Sequence, residues 1–143
     1  MVLESRTQTG RRGEAWALQA LITPSRQLLA TNWRWHRHEI DAVFMELDTV
    51  VFLEVKSRTG CGTNHPDLLP LPSTAQQQRI VRAAHSFMKH RGLQTHACRF
   101  DLATVCFHRC DGTVINFNHV RGAFDGTQTL LPAARRPNWR RVP

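Results

Sequence analysis

The chain has 143 residues, a formal charge of +8 and a hydrophobic fraction of 41%, with a pI of about 10.9. Those values suit one domain with a real apolar core and exclude a disordered or fibrous chain. Of the 19 basic residues all but Lys56 and Lys89 are Arg. Arg's planar fork suits bidentate phosphate contacts, so nucleic acid stands ahead of a merely Arg-rich surface as the reason for the charge.

The first residues lack the apolar stretch of a secretory signal, and no apolar run is long enough to cross a bilayer. The expected setting is therefore cytoplasmic, without a membrane, with Cys61, Cys98, Cys106 and Cys110 reduced. Residues 1–8 read as a flexible polar start. A helix is predicted from Thr9 to about Ile22, ended by Pro24 and Ser25, with Ala17, Leu18, Leu21 and Ile22 at helical spacing. Glu14 falls on that apolar stripe, while Arg11 and Arg12 approach from the preceding turn. A Glu in the first turn also complements the helix dipole, which is the simpler reading of Glu14. Gln27 to Trp33 reads as a strand. The stretch Trp33-Arg34-Trp35-His36-Arg37 is either an aromatic and basic contact surface for bases or phosphates, or its two Trp cover a sheet edge.

Residues 36–58 read as a hairpin with acids set among apolar residues. Asp41 lies within Ile40, Ala42, Val43 and Phe44, and Glu54 and Lys56 close the run Val50-Val51-Phe52-Leu53. Burying an unpaired carboxylate costs roughly several kcal/mol unless a cation or hydrogen bonds compensate, so the pair marks a site. A two-residue turn at Leu47-Asp48 sets Asp41 opposite Glu54 and Glu39 opposite Lys56; a three-residue loop would send Asp41 to the other face. Glu54 and Lys56 share a face with Val50 and Phe52 in either case. Two facing carboxylates with a Lys beside them suit Mg²⁺, which can activate water and stabilise charge on a phosphate. Lys56 would serve the attacking water or the developing charge. An ion-pair cluster explains the same spacing equally well.

Residues 59–72, rich in Gly and Pro, form a loop placed to cover that acidic pair. A second helix should start with Ser73 or Thr74 as N-cap and run to about His90, stopped by Gly92, with Ile80, Ala83, Ala84, Phe87 and Met88 buried. Gln76, Arg79 and Arg82 lie in its N-terminal half, where they could meet phosphates or simply be solvated. Cys98–Cys106 and Val114–Phe117 read as strands. The stretch from residue 125 to 143 reads as a basic Pro- and Arg-rich tail able to add affinity for nucleic acid. Cys106, His108 and Cys110 with Cys61 or His65 form a weak zinc pattern, and buried thiols are the commoner outcome.

Taken together, Gly10-Arg11-Arg12-Gly13-Glu14-Ala15, Asn32-Trp33-Arg34, Glu39-Ile40-Asp41 and Phe52-Leu53-Glu54-Val55-Lys56-Ser57-Arg58 resemble the bacterial YraN family. Gln78-Arg79-Ile80 with Ala83-Ala84, Arg99-Phe100-Asp101 and Ala123-Phe124 fit as well, so the resemblance covers residues 10–124. It implies an α/β, restriction-endonuclease-like three-layer sandwich, a mixed central β-sheet flanked by helices, akin to Holliday-junction resolvases. That domain would span residues 9–124. The resemblance further implies a PD-(D/E)xK nuclease site in which Glu14, Asp41 and Glu54 hold Mg²⁺ or Mn²⁺ and Lys56 serves the hydrolytic water. Arg11, Arg12, Arg58, Gln76 and Arg79 would contact nucleic acid. Two positions depart from the family pattern: His38 stands where Gly usually precedes Glu-Ile-Asp, and Gln76 stands where the second helix usually offers Lys.

The expected function is a divalent-metal-dependent nuclease that hydrolyses phosphodiester bonds, DNA favoured, in repair, recombination or DNA processing. The alternative is a catalytically weak or inactive nucleic-acid-binding protein of the same fold, which the changed second helix motivates. A third is a structural partner whose acids are only an ion-pair network. Resolvase-like relatives work as dimers, which leaves a homodimer open.

Overall fold

A computed structural model describes residues 5–60 and 71–126. Seven elements follow in order: α1 (Arg6–Leu21), β1 (Arg26–Trp35), β2 (His38–Glu46), β3 (Thr49–Thr59), α2 (Thr74–His90), β4 (Ala97–Phe107) and β5 (Val114–Phe124). Helix α1 starts three residues before the predicted Thr9 because Ser5 and Gln8 form a capping box: each side chain satisfies a backbone N–H of the other. Helix α2 has the same device at Ser73 and Gln76. Leu47 and Asp48 form the β2–β3 turn, with Leu47 exposed and at φ 53°.

The strands lie in the spatial order β1-β2-β3-β4-β5. Only β3 and β4 run parallel, because the α2 crossover joins them; the other neighbours are antiparallel. Helix α1 buries Ala17 and Leu21 against Phe44, Val51, Leu53, Ala103 and Val105 on one face. Helix α2 buries Ile80, Ala84, Phe87 and Met88 against Ile40, Val43, Val50, Phe52 and Phe100 on the other. β4 lies between two neighbours and under both helix layers, so every residue from Cys98 to Phe107 is buried. This is an α/β three-layer sandwich, a mixed five-stranded sheet with one helix packed on each face, as expected. β5 extends to Phe124, beyond the predicted Phe117, because an edge strand tolerates the polar residues Asn118, His119 and Arg121.

A charge network ties β1, β2, β4 and β5 together. Arg99 donates to Asp101 at 2.7 Å and 3.0 Å and to Glu46 at 3.0 Å. Arg26 and Arg121 also bind Glu46, each at 2.8 Å. His119 and the Gly122 N–H complete Asp101, at 2.8 Å and 2.9 Å. Burial pushes the Glu46 carboxyl up, but the hydrogen bonds from Arg26 and Arg99 outweigh it and hold it down at about 2.

The thiols correct one expectation. Cys98 and Cys110 are free, but Cys106 is disulfide-bonded. Such pairing depends on which strand ends and loops meet, which spacing along the chain does not reveal. Among the described residues no Cys/His group is placed to hold zinc, and no helix is long and apolar enough to cross a membrane. Of the loop predicted over residues 59–72, Thr59 ends β3 and residues 61–70 lie outside the described residues, as do residues 127–143 of the basic tail predicted over 125–143.

Candidate active site

The β2–β3 ladder is regular from Glu46↔Thr49 to Ala42↔Leu53, the predicted register, and it stops there. One step further, where Asp41 would face Glu54, the strands part. The Asp41 carboxylate takes over the ladder's role: the Val55 N–H donates to its Oδ2 at 2.7 Å. The neighbouring β1 strand shows why β2 can turn here. Asn32, flanked by the pairs Thr31↔Ala42 and Trp33↔Ile40, sits at φ 48°, a left-handed conformation that Asn tolerates better than most residues. Across this kink Ile40 and Val43 both face α2 while Ala42 faces α1. The twist is what turns Asp41 toward β3.

Glu54 and Lys56 continue the α2-facing side of β3, as alternation predicted, and line a cavity beneath the start of α2. Glu54 Oε1 is buried with no hydrogen-bond partner. Burial raises the Asp41 carboxyl to about 7, with Glu14 and Glu39 adding to the rise, while the Val55 N–H and Lys56 oppose it. Burial and the nearby Asp41 raise Glu54 to about 8, and Lys56 opposes that shift. Lys56 is the cation that opposes both shifts, and each carboxyl makes the other harder to ionise.

Helix α1 reaches the same place because of Gly13. A Cβ on Gly13 would collide with the Ser57 side chain, so the missing side chain lets the helix lie against β3. Glu14 then projects beside β1 and β2. Burial and Glu39 raise its carboxyl, while Arg11 lowers it. The Asn32 amide, oriented by its hydrogen-bond network, donates to Glu14 Oε2 at 3.2 Å and to Glu39 Oε1 at 2.9 Å. Arg34 holds the other Glu39 oxygen at 3.0 Å. Glu39 and Asn32 thus belong to the site; the sequence offered Glu39 only as a partner for Lys56 and gave Asn32 no role.

Two openings meet at Glu39. A cleft of about 690 Å³ is lined by Gly10, Arg11, Glu14, Asn32, Arg34 and Glu39, among others. A cavity of about 160 Å³ is lined by Arg37, His38, Glu54, Lys56, Gln76 and Arg79, with Glu39, Pro72 and Ile80. Of the candidate nucleic-acid contacts, Arg11, Gln76 and Arg79 are brought to these openings. Arg12 is not: one helical step turns it away, so that it donates to the Gly112 carbonyl at 2.6 Å and lies 4.3 Å over the Phe107 ring. Arg58 is exposed beyond Lys56 on β3 and lines neither opening. Trp33 packs edge-on against Phe87 at 5.4 Å, and both Trp33 and Trp35 cover the α2-side core. Of the two readings open for these tryptophans, cover fits what they touch.

The donor set fits a hard divalent cation in part. Mg²⁺ needs only one or two carboxylates and completes its shell with waters and phosphate oxygens. Asp41 and Glu54, with the unpartnered Glu54 Oε1, supply oxygens of that kind. No three acidic, His or Cys side chains among the described residues close around one point. Glu14 is therefore linked to the pair by charge, without standing beside it as a ready third ligand.

A family model described as "Uncharacterised protein family UPF0102" matches residues 13–105. The chain belongs to the UPF0102 family. That match includes Glu14, Asp41, Glu54, Lys56, Gln76 and Arg79 and begins after Arg11 and Arg12. A UPF0102 protein of Nitratidesulfovibrio vulgaris (strain DP4) is 34% identical over 130 residues, 90% of this chain and 92% of that one. A UPF0102 protein of Pseudomonas syringae pv. syringae (strain B728a) is 34% identical over 126 residues, covering 87% and 99% of the two chains. A UPF0102 protein of Synechococcus sp. (strain JA-3-3Ab) is 40% identical over 97 residues, covering 67% and 73%. Among solved structures, Pyrococcus furiosus SfsA in complex with Ca²⁺ has a TM-score of 0.34 and 12% identity, over 80% of this chain and 62% of that one. The YraN-type resemblance of the motifs is thus a family membership that extends over most of the UPF0102 chain.

Proposed function

We propose that this protein is a divalent-metal-dependent nuclease acting on nucleic acid, with DNA as the favoured substrate, in repair, recombination or DNA processing. The observation that supports it most is the Asp41–Glu54 pair: two half-buried carboxyls with raised pKa on adjacent strands, with Glu54 Oε1 buried and unpartnered, beside Lys56. When ionised, such a pair costs stability, and a bound cation would relieve that cost.

In this reading Asp41 and Glu54 hold Mg²⁺ or Mn²⁺, with Glu14 adding negative charge from α1. A bound ion of this kind supplies Lewis acidity toward a phosphoryl oxygen and lowers the pKa of water. The protein's own groups do the rest. Lys56, on the same face as Glu54, orients the attacking water or neutralises charge building on the phosphate. The Val55 N–H fixes the Asp41 carboxylate so that one oxygen stays aimed at β3. Arg11 on the larger cleft and Arg79 on the smaller cavity offer the phosphate backbone its counter-charge. The working environment is the cytoplasm.

A second reading, a nucleic-acid-binding protein without turnover, draws on the absence of a ready three-donor cluster among the described residues and on Gln76 in place of a cation. The two separate when linear, single-stranded and branched DNA are incubated with the protein, with and without Mn²⁺, beside Glu54→Ala and Lys56→Ala. Cleavage by the wild type alone supports the nuclease. Salt-sensitive binding with no cutting on any substrate supports the binding protein, and cleavage that persists in both variants places the site elsewhere.

A further inference from the structure

Gln76 lines the smaller cavity from the start of α2, and its side chain is committed to another task. Its Oε1 accepts from the Ser73 N–H at 3.0 Å, while the Ser73 hydroxyl accepts from the Gln76 N–H at 3.2 Å. This is the N3 position of the α2 capping box, which calls for Gln or Glu. The cavity nevertheless does not lack cations. Arg79, one turn further along α2, and Arg37, on the β1–β2 connection, both line it together with Lys56. Both arginines are exposed, and neither makes a hydrogen bond or ion pair with any described residue.

We propose that Arg37 and Arg79 form a phosphate-binding subsite, reaching into the 160 Å³ cavity from opposite elements and supplying the positive charge that Gln76 does not. The ligand is a phosphate group of a nucleic-acid strand, seated beside Glu54 and Lys56. Guanidinium forks suit this better than a single ammonium, because each can donate two parallel hydrogen bonds to one phosphate. Surface arginines with intramolecular carboxylate partners, such as Arg34 with Glu39, have already used that capacity; Arg37 and Arg79 have not. Arg37 carries the point: no other part of the site marks this residue, and only the hairpin's approach to α2 brings it to the cavity. The subsite deepens the nuclease reading and rests on it for the identity of the strand, but binding can be measured without turnover.

The test is binding of a fluorescent 20-nucleotide DNA strand by anisotropy across a salt series in EDTA, with Arg37→Ala, Arg79→Ala, the double variant and Lys89→Ala. Lys89, exposed near the other end of α2, removes the same charge away from the cavity. Each arginine change should weaken Kd about tenfold, the scale of a lost charge-assisted hydrogen bond. It should also flatten the dependence of log K on log salt by about 0.7 per phosphate contact. Lys89→Ala should do neither beyond its small long-range effect, and thermal melts should show all variants folded. Strands with and without a 5′-phosphate tell an end phosphate from an internal one: preference for the 5′-phosphate that disappears in the double variant assigns the former, and equal loss on both strands the latter. If the double variant binds as Lys89→Ala does, or the wild type shows no salt-sensitive binding, the subsite is wrong. Wild-type cleavage in Mn²⁺ that the double variant matches would sink the subsite and leave the nuclease standing. The predicted binding losses without cleavage by the wild type would do the reverse.

Discussion

The Val55 N–H donates to the Asp41 carboxylate at 2.7 Å at the point where the β2–β3 ladder ends. One side chain therefore closes a backbone gap and carries half of the candidate metal site. The two duties separate by substitution. Asp41→Asn retains an oxygen acceptor for Val55 and removes a buried charge, so it should stabilise the metal-free protein. Asp41→Ala strands the Val55 N–H and should cost about 1–3 kcal/mol. Urea denaturation at pH 8 in EDTA reads both; equal destabilisation by the two would show that the acceptor does not matter.

The raised carboxyls also set a direction for pH dependence. A group with a folded pKa above its unfolded value contributes stability that is fully present below the unfolded pKa and is lost as pH rises through the folded one. Asp41 and Glu54, raised to about 7 and about 8, should therefore make the metal-free Tm fall between about pH 4 and pH 8. Glu54→Gln should flatten that fall, and Mg²⁺ or Mn²⁺ should lift the Tm at pH 8 by binding the ionised pair. Glu46, held down at about 2, works oppositely: its contribution is present above its unfolded pKa and disappears as pH falls toward 2. A metal-free Tm that climbs from pH 5 to pH 8 would contradict the assignment of the upper limb.

Gly13 should be intolerant of any side chain. The added Cβ of Gly13→Ala meets the Ser57 Cβ at 2.8 Å as well as its hydroxyl, so the helix or the strand must shift. Overpacking of this kind costs about 1–3 kcal/mol and carries Glu14 away from the strands. Adding Ser57→Gly removes both colliding atoms and should restore most of the lost stability. Thermal melts of the single and double variants decide it, and a double variant no better than Gly13→Ala would count against helix–strand contact as the cause.

Asn32 combines a left-handed backbone with an amide that joins Glu14 to Glu39. Asn32→Gly keeps the backbone freedom and removes the amide. It should stay folded yet bind Mn²⁺ more weakly in calorimetric titration, because two acids lose their shared donor. Asn32→Asp sets a third carboxylate between them and should lower the Tm in EDTA, with partial recovery on adding metal. Unchanged Mn²⁺ affinity in Asn32→Gly would leave the amide with no part in holding the acids.

The sequence alone determined what depends on local pattern. Alternation along Val50–Lys56 put Glu54 and Lys56 on one face, whereas the Leu47-Asp48 connection left two β2–β3 registers open and the structure shows the one of the two-residue turn. Ser73 or Thr74 marked the start of α2, of which Ser73 is the cap, and the motifs carried the family. The tertiary structure decided what depends on how elements meet. Alternation said nothing of the twist at Asn32, where the strand pair rotates and Asp41 leaves the ladder for Val55. Arg11 and Arg12 look equivalent as neighbours in sequence, yet a helical step of about 100° sends one to the cleft and the other to Phe107 and Gly112. Gln76 looked like a missing cation until the cap it completes was visible, and Arg37 stood only as the end of a basic aromatic stretch, with nothing to place it beside Glu54 and Lys56. Local periodicity fixes which face a side chain takes; only packing of one element on another fixes what that face meets.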